Sequence, residues 1–71
     1  MTIHIHKPAG HYIGQVRQQY ERKWRTVTKE WQTPEKALSM AALKMAPTDK
    51  FARVIFVTEW YDPMVAMEVT R

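Results

Sequence analysis

Three histidines stand near the start of the chain. His4 and His6, at i and i+2, would point to one side of a strand, and His11 is close enough in sequence to join them around a metal. Three neutral imidazoles can bind zinc or nickel. No nearby carboxylate or thiolate completes a ligand set, so no metal is expected. Glu59 and Asp62 flank Trp60-Tyr61 and could act as an acid and a base with separated pKa values. Asp62-Pro63 reads better as turn chemistry, in which the Asp side chain accepts backbone hydrogen bonds. The chain has no glycine-rich phosphate loop, nucleophile elbow or Ser/His/Asp arrangement. It has no cysteine, which excludes a thiol nucleophile, a zinc-thiolate site and a disulfide framework. These features point away from an enzyme and call for no cofactor.

The sharpest feature is electrostatic. Between residues 17 and 29, Arg17, Arg22, Lys23, Arg25 and Lys29 face Glu21 alone, and this segment accounts for the whole formal charge of +4. Cations on one strand face neutralise phosphates, Gln15 and Gln19 offer hydrogen bonds, and Trp31 offers a stacking ring. A two-stranded ribbon also fits a DNA major groove. A solvated outer face is the plainer reading of a charge-rich strand. Tyr20 and Trp24 read as a cross-strand aromatic pair at the core or its margin, with Trp24 only a weak candidate for a base platform.

Several elements must position these residues. Thr2-Ile3-His4-Ile5-His6 alternates at period two and suggests a short strand, with a turn at Pro8-Ala9-Gly10. Residues 12–20 and 24–31 are aromatic, β-branched and polar by turns, which suggests a hairpin. A three-residue loop at 21–23 would pair Tyr20 with Trp24. It would put Tyr12, Val16, Tyr20, Trp24, Thr26 and Thr28 on one face, and Gln15, Arg17, Gln19, Arg25 and Lys29 on the other, with Ile13 beside Trp31 at its far end.

Thr33-Pro34-Glu35 is a helix start: Thr33 caps, Pro34 needs no N–H in the first turn, and Glu35 meets the positive end of the dipole. The helix is expected over about 34–45, ended by Pro47. Leu38, Ala41, Ala42 and Met45 form one apolar stripe with Ala37 at its margin. Met40 and Leu43 lie off that stripe among Lys36, Ser39 and Lys44. Residues 51–61 are the clearest strand, with Val54, Phe56 and Trp60 on one side and Ile55, Val57 and Tyr61 on the other. A last strand is expected over 64–70. A strand apolar on both faces is normally central and covered twice, yet one short helix covers only one side of a sheet.

The expected fold is therefore α+β: hairpin, helix, hairpin, with an antiparallel sheet, one packed helix and room for an extra N-terminal strand. At 71 residues the chain makes a single domain over 1–71, and its 45% apolar content with three Trp, three Tyr and two Phe argues for a folded state. No basic-then-apolar leader opens it and no run approaches the length that spans a bilayer, so a cytoplasmic protein without membrane attachment is expected. No motif identifies a family; the small size and lack of a catalytic signature give only the general look of an accessory protein of the phage or prophage type. The leading expectation is a nucleic-acid-binding module, for DNA or RNA, using Arg17, Arg22, Lys23, Arg25, Lys29 and Trp31. The rival is a protein-interaction adaptor or inhibitor acting through Met40 and Leu43 or a sheet face. Both leave room for a homodimer.

Overall fold

The computed structural model describes residues 10–59 and 61–71. The strand expected at Thr2 to His6, with the candidate ligands His4 and His6, lies outside the described residues, as does Trp60. Four strands and one helix follow in the order β1 (Gly10–Gln18), β2 (Arg25–Thr26), α1 (Pro34–Leu43), β3 (Asp49–Thr58) and β4 (Met64–Thr70). They form one antiparallel sheet, ordered β2-β1-β3-β4, with α1 packed across β1 and β3. This is the α+β fold that the sequence implies, and β4 has the bounds expected of it. Among the described residues, no helix is long and apolar enough to cross a membrane.

The helix begins as its sequence dictates. Thr33 is the cap, its hydroxyl accepts from the Lys36 backbone N–H at 3.4 Å, and Pro34 occupies the first turn. It stops at Leu43, a little short of the expected end. The buried stripe is shifted too: Ala37 and Ala41 are fully buried, Leu38 and Met45 pack at the core margin, and Ala42 is exposed. The reason lies across the interface. Gly14 of β1 faces Ala37 and Ala41, so three residues without bulk let helix and sheet approach closely, and the helix turns its alanine edge toward that contact.

Register places the two faces of the sheet. Gly14 opposes Val54 and Val16 opposes Ala52, and these pairs lie under the helix. The intervening pairs, Ile13 with Ile55, Gln15 with Arg53 and Arg17 with Phe51, therefore lie on the helix-free face. β3 is central, with β1 on one side and β4 on the other, as its two apolar faces require.

The first hairpin departs from expectation. Gln15 opposes Thr26 and Val16 opposes Arg25, so odd positions of one strand meet even positions of the other. Tyr20 and Trp24 are not a cross-strand pair; both fall in the connection between β1 and β2, where Tyr20 is 89% exposed. Glu21 is the cause. Its backbone N–H donates to the Gln18 carbonyl at 3.3 Å, and its Oε1 accepts from the Gln18 N–H at 3.1 Å and from Arg25 Nε at 3.2 Å. These bonds close a wider loop than the three-residue turn and move the register.

Candidate nucleic-acid interface

The altered register divides the basic residues between the two faces. Arg25 opposes Val16 and so lies on the helix side, where it does not join Arg17. Its guanidinium bonds Oδ1 of Asp49, a carboxylate that is 1% exposed, and Asp49 Oδ2 accepts from the Ala46 N–H at 2.8 Å. Burial alone would lower the Arg25 pKa; the bonds to Asp49 and Glu21 outweigh it and hold the pKa above its ordinary value. Arg25 is thus committed to an internal ion pair that ties the hairpin to the start of β3.

Lys29 and Trp31 also leave the expected group. Trp31 opposes Tyr12, the residue whose ring lies 4.9 Å from that of Phe56, and exchanges both backbone hydrogen bonds with it. Lys29 and Lys36 of the helix both cover the Trp31 ring, at 4.8 and 5.4 Å from its centroid. The ring is half-buried beneath two ammonium groups, and its indole N–H is buried without a partner among the described residues. It offers no open stacking surface.

The helix-free face assembles a different set. The Arg17 guanidinium lies 4.4 Å from the Phe51 ring centroid and 5.1 Å from that of Trp24, and the Arg53 guanidinium lies 4.3 Å from Trp24 on the same face. Ring, cation, ring and cation thus alternate from Phe51 through Arg17 and Trp24 to Arg53. Hydrogen bonds hold both cations in place. Arg17 Nη1 donates to the Glu21 carbonyl at 2.5 Å, with longer bonds to Gln18 and Gln19, while Arg53 Nε donates to Gln15 Oε1 at 2.9 Å. Gln15 is itself fixed by donating to Thr26 Oγ1 at 3.2 Å. These bonds leave Nε and Nη2 of Arg17 and both Nη groups of Arg53 without an acceptor among the described residues.

Neither cation has an ion-pair partner among the described residues. Burial pushes the Arg53 guanidinium below its ordinary pKa; the field of Glu68 opposes that shift, and the charge of Arg17 adds to it. Two like charges sharing one aromatic support gain from an anion placed between them. Arg22 and Lys23 are exposed in the loop beside this face, with no acidic partner among the described residues.

Arg53 is the residue that sequence reasoning missed. It is the one charged position in an otherwise apolar alternation, Phe51, Arg53, Ile55 and Val57, and a cation kept within a central strand was the available signal. The other candidates are scattered. Met40 is half-buried while Leu43 is 78% exposed, so the two do not form a common open patch. His11 Nε2 lies 3.5 Å from Glu30 Oε1, and no group of three or more His, Asp or Glu side chains that could hold a metal occurs among the described residues. No protein family model, curated protein or solved structure matches this chain.

Proposed function

We propose that this protein is a non-enzymatic, cytoplasmic binding module that holds nucleic acid on the helix-free face of its sheet. One observation carries the reading: Arg17 and Arg53 share the Trp24 ring, and among the described residues their outer N–H groups have no acceptor and no carboxylate is bonded to either. Planar guanidinium groups held by a ring present fixed donors to phosphate oxygens, and Arg is better suited than Lys to that geometry. Arg22 and Lys23 extend the positive surface into the adjoining loop. Arg25, bound to Asp49, and Lys29, over Trp31, contribute only long-range charge.

Salt-dependent binding tests this directly. Each phosphate neutralised on a single strand contributes about −0.7 to the slope of log K against log salt. Arg17→Glu and Arg53→Glu should each weaken binding and flatten that slope, while Lys44→Glu, on the last turn of the helix side, should leave the slope nearly unchanged. Equal effects at all three positions would assign binding to net charge alone and overturn the site.

A second reading, a protein-interaction module or homodimer, is favoured by the outer strand. β4 is an edge strand on which Met64, Val65 and Val69 are 55%, 51% and 42% exposed. An apolar edge of this length invites a further strand. Sedimentation of the 8.4 kDa chain with and without Val65→Lys and Val69→Lys separates the cases. An assembly lost in both variants supports edge pairing, and a monomer at all concentrations removes the homodimer.

A further inference from the structure

The shape of the helix-free face says which nucleic acid it can take. Four strands lie side by side, and at about 4.8 Å per strand spacing their backbones alone span about 14 Å. A B-DNA major groove is about 12 Å wide and admits a helix or a two-stranded ribbon. The basic hairpin is not such a ribbon, because β1 pairs with β3 along its whole length and β2 is only two residues long. Arg17 and Arg53 stand on the two inner strands, β1 and β3. Base edges inside a duplex are therefore out of reach of this face, and a duplex could touch it only through phosphates.

The composition of the face points the same way. Beyond the guanidinium groups it carries Ile13, Ile55 and Val57, half-buried aliphatic side chains that a hydrated phosphate backbone has no use for, and Glu68 of β4, opposite Arg53, sets an acidic limit to the face on that side. A surface that alternates cations with rings and continues into aliphatic side chains suits unpaired bases, which stack on ring-supported guanidinium planes while the phosphates between them meet the charges. Gln15 holds Arg53 by Nε, so the plane of that group is fixed before any ligand arrives and little side-chain entropy remains to be lost.

We infer that the Arg17–Trp24–Arg53 face binds unpaired nucleic acid strands, with bases stacked against the outer planes of the ring-supported guanidinium groups and phosphates between the two arginines. This rests on the nucleic-acid reading above and specifies its ligand. Arginine is required for its plane as well as its charge. Replacement by lysine keeps the charge and loses the stacking surface.

The test compares a labelled mixed-sequence oligonucleotide of about 20 nucleotides, longer than the usual single-strand site, as a single strand and as its duplex. DNA and RNA versions are each titrated at two salt concentrations. The single strand should bind at least about fivefold more tightly, the contribution expected of even one stacked base. Arg53→Lys should lower single-strand affinity about fivefold to tenfold with the salt slope unchanged. The same variant should leave duplex binding unaltered, and thermal melts confirm that it is folded. Duplex binding as tight as single-strand binding, or an Arg53→Lys variant with undiminished single-strand affinity, would overturn the inference and leave phosphate contact standing. No binding to any probe would overturn both.

Discussion

Replacing Gly14 by alanine tests the contact that sets the distance between helix and sheet. A Cβ at Gly14 would lie 2.7 Å from the Ala41 Cβ, 2.8 Å from the Ala37 carbonyl oxygen and 2.8 Å from the Thr28 Cγ2. Favourable separations begin at about 3.5 Å, so each neighbour must retreat by about 0.7 Å. Two of the three belong to α1 and include a backbone carbonyl, so no side-chain rotation relieves them; the helix itself must move. Overpacking of this kind costs about 1–3 kcal/mol, of which the lower flexibility of alanine in the unfolded chain returns about 0.5–1 kcal/mol. A net loss near 1 kcal/mol should lower the melting temperature by about 4–8 °C in a domain of this size. Thermal and urea unfolding followed by circular dichroism measure it. Thr28→Ser in the same chain removes the Cγ2 contact while keeping the hydroxyl that accepts from the Gly14 N–H at 2.8 Å, and should recover part of the loss. A Gly14→Ala protein that melts at or above the parent temperature would refute close packing as the reason for glycine here.

Other perturbations address the remaining contacts. Arg25→Met leaves the buried Asp49 carboxylate without its cation and should lower the urea midpoint. Adding Asp49→Asn should return much of that loss, and a double-mutant cycle in urea showing no coupling would remove the ion pair from the account. Thr28→Val deprives the Gly14 N–H of its acceptor and should destabilise by about 1–3 kcal/mol, read from the urea midpoint. Leu43→Glu, at a site 78% exposed, should shift stability by no more than about 0.5 kcal/mol. A large effect there would show that the helix end is covered in solution.

The local elements of this protein are written in short-range chemistry. Thr33-Pro34-Glu35 starts a helix whatever surrounds it, and the alternation from Phe51 to Val57 makes a strand that must be central. That is why the α+β class and the bounds of β4 are legible from residue order. The hairpin register is not, because it depends on Glu21 bonding to Gln18 and Arg25 across a loop whose length no turn residue specifies. An odd shift of register then exchanges the faces of every side chain on β2 relative to β1. It carries Arg25 to Asp49 on the helix side, and leaves Arg17 on the open face, where it meets Arg53 from a strand far away in the chain. Charge composition by itself determined that a positive surface exists and lies near the first hairpin. Only the pairing of β1 with β3 decided which arginines share it, because faces are assigned by registration between strands and no pattern within one strand contains that information.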